Sequence, residues 1–364
     1  MKKIGILTFH RAENYGAVLQ TYALQEYISK MSSNYEVEVI DYRSPFIEKY
    51  YKLLSFKAFT NIKSLKRIVY VLLYNGTLKS KRKIFDNFID KFIRVSLSEY
   101  DDKTIRGLDD KYDLFICGSD QIWSPYSAGF DPIYFLDFVK KRNKKNAYAA
   151  SFGVEIVPEE TIKEYSRRLK NFNVISVREE IGKKIIKNLI EEDVPVSLDP
   201  TLLLSKTEWD LIIEKKRKIS EKYLLIYLIT ETREIIELAK KVAREKKLKL
   251  VYINDNIYKT KGIYNYNNCS PSDWLNLFYN ADYIVTNSFH GIAFSINFEK
   301  EFSVQYLPEP AKVNSRINNI LDNYSLKWRI NYDGNEKINY SKVNKILVED
   351  RVASQQILKD IMEY

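Results

Sequence analysis

Tyr283-Ile284-Val285-Thr286-Asn287-Ser288-Phe289-His290-Gly291-Ile292-Ala293 is the stretch on which the fold turns. Four strand-forming residues pass through Asn-Ser into a segment that stays apolar at Ile292, Ala293, Ile296 and Phe298, the pattern of a buried helix. A strand that hands over directly to a helix is the repeating unit of open α/β sheets, and ligands bind where the carboxyl ends of such strands meet helices. Only two histidines occur in 364 residues, and the second, His10, stands in another such turn, Thr8-Phe9-His10-Arg11-Ala12-Glu13-Asn14-Tyr15-Gly16. Histidine is the side chain that moves protons near neutral pH, so both turns are candidate chemistry.

The same rhythm runs outward in both directions. Strand patterns fall at Lys3–Phe9, Glu36–Tyr42, Tyr112–Cys117, Asn146–Phe152, Asn173–Val177 and Val196–Leu198, then at Tyr223–Ile229, Leu248–Ile253, Tyr283–Thr286 and Phe302–Tyr306. Helical patterns lie between them, including Ala17–Met31, Glu159–Lys170, Glu179–Ile190, Thr232–Lys246 and Ser272–Tyr279. This predicts an α/β chain with largely parallel sheets, and its length suits two domains because single cores stop growing near ~250–300 residues. The expected division is 1–203, 204–340 and a C-terminal helix over 341–364, with the boundary between Asp199-Pro200 and Lys206.

Composition narrows the function classes. Lys and Arg exceed Asp and Glu by 58 − 48 = 10, so an anionic partner is expected: nucleic acid, membrane phosphate or an acidic metabolite. No nucleic-acid-binding module is recognisable, which argues against the first. Cys117 and Cys269 lack metal-type or redox-type neighbours, and two histidines with two scattered cysteines cannot build the usual structural zinc site. Without an export signal or disulfide framework the cytoplasm is expected, and no apolar run approaches the ~20 residues of a membrane span. One segment breaks the rhythm: residues 47–94 carry twelve Lys/Arg against three acids, interleaved with nine aromatics. It reads as a basic helical insertion, suited to anionic lipid headgroups or, more plainly, to packing its aromatics on the domain.

Three turns and one cation could carry chemistry. In the first turn Asn14 and Gly16 suit a tight bend before a helix whose amides could receive an anion; no G-x-G-x-x-G fingerprint accompanies it. The second is Phe115-Ile116-Cys117-Gly118-Ser119-Asp120-Gln121-Ile122-Trp123, where Asp120 is either a base or a helix cap. The third is the His290-Gly291 turn, where an imidazole at a helix N-terminus could contact phosphate or shuttle a proton. Arg178 closes the apolar run Val174-Ile175-Ser176-Val177; its planar fork suits a carboxylate or phosphate, against an ion pair with Glu179 or Glu180.

Taken in order, G-I-L-T-F-H-R-A-E-N-Y-G-A-V-L-Q, F-I-C-G-S-D-Q-I-W, S-F-G at Ser151–Gly153, V-I-S-V-R-E, V-S-L-D-P-T-L-L-L and T-N-S-F-H-G-I-A-F-S-I-N resemble the polysaccharide pyruvyl transferase family over about Lys3 to Leu321. That resemblance implies a GT-B-like fold, two Rossmann-like domains facing a central cleft. It also implies use of phosphoenolpyruvate to set a pyruvate ketal on a sugar of a cell-surface or capsular polysaccharide, or on its polyprenyl-pyrophosphate-linked precursor at the inner face of the membrane. Carried over, Arg178 and His290 would face the donor, with Gly291, Ser288 and Arg316 around it, and Asp199 would shape the hinge. Relatives often carry an arginine where this chain has Ser288; Arg316 and Arg11 are the candidates to replace it. Asp120 or His10 would serve the acceptor hydroxyls, and Asn14, Tyr15, Gly16, Arg11, Ser119 and Gln121 would line the acceptor side in the N-terminal domain. The scheme requires neither a cofactor nor a metal. Two rival classes use the same fold: a GT-B glycosyltransferase taking a nucleotide sugar, and a non-catalytic relative that binds glycan or sugar phosphate.

Overall fold

The computed structural model describes residues 1–51, 80–255, 259–308 and 314–363. Their strands form two wholly parallel sheets. The first orders β1 (Lys2–Leu7), β2 (Tyr35–Tyr42), β3 (Val95–Tyr100), β4 (Leu114–Cys117), β5 (Lys145–Ala150) and β6 (Val174–Val177) as β3-β2-β1-β4-β5-β6. The second orders β7 (Tyr223–Tyr227), β8 (Lys249–Ile253), β9 (Tyr264–Tyr266), β10 (Tyr283–Thr286) and β11 (Phe302–Val304) as β11-β10-β7-β8-β9. The helices of the first half are α1 (Tyr15–Met31), α2 (Pro45–Tyr51), α3 (80–92), α4 (Ile162–Leu169), α5 (Glu180–Ile190), α6 (Pro200–Leu203) and α7 (Lys206–Asp210). Those of the second half are α8 (Arg233–Lys246), α9 (Pro271–Asn280), α10 (Phe289–Asn297), α11 (Asn314–Asn323) and α12 (Tyr340–Glu363). The expected α/β architecture of two parallel sheets with surrounding helices is therefore the observed one.

Parallel strands covered on both faces must be apolar throughout, and β4, β7 and β10 are buried at every residue. In each sheet the strand order reverses once: at β1, flanked by β2 and β4, and at β7, flanked by β8 and β10. Connections leave such a point toward opposite faces and open a crevice at the strands' carboxyl ends.

An aromatic seam joins the two sheets through one shared cluster, beside which each sheet keeps a cluster of its own. Tyr15 stacks on Trp274 with ring centres 5.8 Å apart, Tyr22 packs on Trp209 at 5.6 Å, and Trp209 meets Phe294 edge-on at 5.0 Å. These rings bring α1, α7, α9 and α10 into a single hydrophobic cluster. Helix α12 then returns to the first sheet. Ser354 Oγ accepts from Leu198 N at 3.0 Å, and Tyr35 Oη donates to the Met362 carbonyl at 2.5 Å. Midway, Arg351 donates to the carbonyls of Leu202 and Leu204 and to Asn297 Oδ1, tying α6, α10 and α12 together.

Several elements differ from the sequence reading, among them the short strand β9, which was not expected. Val196–Leu198 is not a strand; it forms one isolated bridge, from Val196 to Val177. Strand β3 was hidden because V-S-L-S-E-Y turns Ser96 inward, where its Oγ accepts from Asp41 N, and leaves Leu97 fully exposed. Helix α11 is asparagine-rich, a poor helix composition, and holds through Ile317, Ile320 and Leu321 on one buried face. Of the basic stretch 47–94, residues 52–79 lie outside the described residues, while α3 turns Phe85, Phe88 and Ile89 into the core. Among the described residues no helix is long and apolar enough to cross a membrane.

Replacing Arg351 by alanine leaves three polar groups at the α6–α10–α12 junction short of a donor. It is expected to cost about 2 kcal/mol, read from the shift of the urea midpoint at unchanged slope.

Candidate active site

Because both sheets reverse their order at a central strand, the two crevices face each other across the seam. The space between them is a cleft of about 450 Å³. The turn after β1 contributes Phe9, Ala12 and Asn14, and the turn after β4 contributes Asp120, Gln121, Tyr126 and Ser127. From the second sheet come Ile229 after β7 and Asn287, Ser288, Phe289 and His290 after β10, with Arg316 and Ile317 from α11 closing the side.

Arg178 sits just beneath, 3% exposed, at the end of β6. A guanidinium that deep needs counter-charge, since burial alone would push its proton off. Its Nε donates to Glu179 Oε1 at 3.0 Å and its Nη1 to Asp199 Oδ2 at 2.8 Å, and these carboxylates more than offset burial, raising its pKa. Burial acts in the opposite direction on Asp199 and would raise its pKa, but His290 and Arg178 outweigh it and hold the carboxyl well below the usual range. Asp199 also caps α6 by accepting from Thr201 N, while His290 Nε2 lies 3.6 Å from its Oδ2, an ion-pair distance too long for a hydrogen bond. The Arg178 guanidinium is further covered by the Phe289 ring, 4.8 Å from its centre.

Three buried nitrogens at this floor have no hydrogen-bond partner: Arg178 Nη2, His290 Nε2 and Arg316 Nε. Arg178 Nη2 is 3.9 Å from Asp120 Oδ1. With the Gln121 amide oriented to satisfy both neighbours, its oxygen accepts from the terminal nitrogens of Arg316 at 2.7 and 2.8 Å and its nitrogen donates to Ser127 Oγ at 2.8 Å. Burial and the neighbouring Arg178 charge both push the Arg316 pKa down. Three donors here are thus without hydrogen-bond acceptors, although Asp120, Glu179 and Asp199 supply counter-charge.

The side chains singled out in the sequence separate into two groups. His290, Ser288, Asp120, Gln121, Asn14 and Arg316 border the cleft. Ser288 and Asn14 are also helix caps, accepting from Gly291 N and Ala17 N. His10 does not reach the cleft. It is 1% exposed, with Nε2 2.9 Å from Asp41 Oδ1 and Nδ1 3.2 Å from the Thr8 carbonyl. Arg11 is spent on Asp41 and Asp86. Burial would raise Asp41, but its contacts with His10 and Arg11 prevail and hold its pKa well below the carboxylate range. Tyr15 is inside the seam, its hydroxyl donating to the Cys269 carbonyl, and Ser119 is fully buried, 3.4 Å from Asp199.

Gly16 has a role that spacing alone did not show. A Cβ there would stand 2.0 Å from His290 Nδ1, so the start of α1 is the surface on which the imidazole rests. Gly291 is needed for a similar reason: a Cβ would meet Thr286 Oγ1 at 2.2 Å. Phe289, Tyr126 and Phe46 also went unread as site residues, being ordinary aromatics in sequence. Among the described residues no group of three or more His, Cys, Asp or Glu side chains gathers as metal ligands would.

A family model described as polysaccharide pyruvyl transferase matches residues 14–304. No curated protein matches the chain. Among solved structures it is similar to the MnaA–UDP complex of S. aureus, at 14% identity over 98% of this chain and 91% of that one, TM-score 0.48. It is also similar to the UDP-GlcNAc 2-epimerase of Methanocaldococcus jannaschii, at 11% identity, 96% and 92% coverage, TM-score 0.47. The E. coli ADP-heptose LPS heptosyltransferase II shares 9% identity, with 96% and 99% coverage and TM-score 0.39. None of these likenesses bears on function.

Two outcomes follow from the geometry. Gly16→Ala should gain about 1 kcal/mol of helix propensity but lose about 1–3 kcal/mol to overpacking, a net loss in urea melts. With only two histidines in the chain, its NMR spectrum should show the His290 ring signal displaced and the His10 signal unmoved. Asp199→Asn keeps the α6 cap but strips Arg178 of a carboxylate, and should cost about 3 kcal/mol at pH 7. Because the folded pKa of Asp199 is depressed, its contribution is complete above the unfolded value of about 3.9 and fades as pH falls below it. The gap between wild type and variant should therefore narrow in melts run from pH 5 down to pH 3.

Proposed function

The chain belongs to the polysaccharide pyruvyl transferase family, and from that premise we propose that it transfers pyruvyl from phosphoenolpyruvate to a glycan sugar as a cyclic ketal. What supports the reading is a cluster of three buried nitrogens without hydrogen-bond acceptors: two on His290 and Arg316, which border the cleft, and one on Arg178, 3.9 Å from Asp120 on its wall. Each buried donor left unmade costs about 1–3 kcal/mol, so the site suits a ligand that arrives with acceptors. Phosphoenolpyruvate carries a carboxylate and a phosphate a few bonds apart and supplies several.

Roles follow from position. Arg316 is the cation that stands in for the family arginine absent at Ser288, since it borders the cleft and Arg11 does not. Arg178 offers Nη2, which makes no hydrogen bond, to the donor carboxylate, and its two carboxylate partners keep it charged and fixed. His290 contacts the phosphate and delivers a proton to the methylene carbon, which becomes a methyl group and leaves C2 electrophilic. A sugar hydroxyl adds at C2, its proton passing to Asp120. The C2–O bond to phosphate breaks, and a second hydroxyl of the same sugar closes the ring, its proton leaving with inorganic phosphate. Proton transfer from Asp120 through solvent restores the imidazolium. The acceptor is a glycan of the cell surface or its lipid-linked precursor, met on the cytoplasmic side.

The test is a thermal-shift titration with phosphoenolpyruvate against UDP- and GDP-sugars. At about 100 times its Kd the donor should stabilise wild type by about 2.7 kcal/mol, and Arg316→Ala should remove that shift. A shift with a nucleotide sugar alone would make the protein a glycosyltransferase.

A further inference from the structure

Two aromatic rings at the mouth of the cleft are left in water. Phe46 in α2 is 45% exposed and Tyr126, in the turn after β4, is 70% exposed. Leaving a large apolar side chain out of the core forgoes about 1.5–3 kcal/mol, so folding alone does not explain them. Among the described residues the only other large aromatic so exposed is Tyr264, and it lies elsewhere; two of the three border this one cavity. Nor is Phe46 loose. It lies against Gly129, where a Cβ would come within 2.4 Å of the ring and where φ is +64°, a conformation that favours glycine. The turn carrying Tyr126 is thereby braced against α2.

Beside these rings stand Asp120, Gln121 and Ser127, acceptors and donors on the same wall. An aromatic face next to a carboxylate and an amide fits a pyranose, which is apolar on its C–H face and polar around its edge. A lipid chain is a poorer fit, because the polar groups interrupt the apolar surface within the cleft. A three-carbon donor seated beside His290 and Arg316 also leaves most of about 450 Å³ for a second substrate. We infer that Phe46 and Tyr126 form the seat of the acceptor's sugar ring, stacking on its C–H face and turning its hydroxyl edge toward Asp120. This rests on reading the cleft as the site of pyruvyl transfer.

Saturation-transfer NMR tests it, using methyl β-D-galactopyranoside, methyl β-D-glucopyranoside, methyl α-D-mannopyranoside and octyl β-D-glucopyranoside. Wild type should saturate the ring C–H protons of at least one methyl glycoside. Phe46→Ala and Tyr126→Ala should each weaken that binding roughly three- to tenfold, and Tyr126→Phe should retain it. The phosphoenolpyruvate thermal shift should be equal in all four proteins, which also shows that the variants fold. Saturation confined to the octyl chain, no methyl glycoside bound by wild type, or alanine variants that bind as wild type does would each overturn the seat. Should phosphoenolpyruvate fail to bind while the glycoside signal still depends on both rings, the sugar seat stands and the pyruvyl reading falls.

Discussion

A positive charge buried at the joint of two sheets has to be paid for locally, and the pairing of Arg178 with Glu179 and Asp199 organises what surrounds it. Asp199 is the more consequential partner. One oxygen caps α6, where the chain leaves the first sheet. The other takes the Arg178 fork and lies within ion-pair reach of His290, which comes from the second sheet. A single carboxylate thus sets the departure of the linker, the orientation of the arginine and the charge facing the imidazole. Removing one partner of such a cluster strands the rest in low dielectric, which is why these side chains are fixed together.

The geometry of the cleft has a second source, the close approach of backbone to ring. His290 rests on the first turn of α1, at Gly16, and the Tyr15 ring one residue earlier is locked in the aromatic seam. The imidazole of one half is therefore positioned by the backbone of the other. Polar chemistry at the floor and apolar packing in the seam hold the same relative placement, so the residues facing the cleft are preorganised by the core rather than by their own loops.

Much of this was legible in the sequence. Continuous apolar runs such as Leu114–Cys117 and Tyr283–Thr286 gave away the buried parallel strands, and the turns after them held His290, Asp120 and Gln121. What could not be read was direction. His10 stands in a turn as promising as that of His290, yet Asp41, 31 residues away on β2, draws it to the flank. Arg11 follows it there, while Arg316, inside an unpromising asparagine-rich helix, reaches the cleft. Strand β3 escaped because its alternation is inverted, Ser96 inward and Leu97 outward. Phe46 and Tyr126 escaped because an aromatic residue looks the same in sequence whether packed or left in water. Local pattern encodes elements; which face a side chain takes is decided by partners far along the chain.

Helix α12 gives the molecule a topology that its two sheets conceal. Tyr35 and Met362 are 327 residues apart and hydrogen-bonded. The first half is thus contacted by segments far apart in sequence, and the chain crosses the seam between the sheets twice, once outward at Asp199 and once back through α12. Closing so long a loop is a contact-order burden that falls on folding speed far more than on final stability. Recombination that exchanged one half at the Asp199-Pro200 turn would leave the first sheet dependent on a helix bred to fit another partner, so inheritance of the whole, rather than shuffling of halves, is the route this architecture favours.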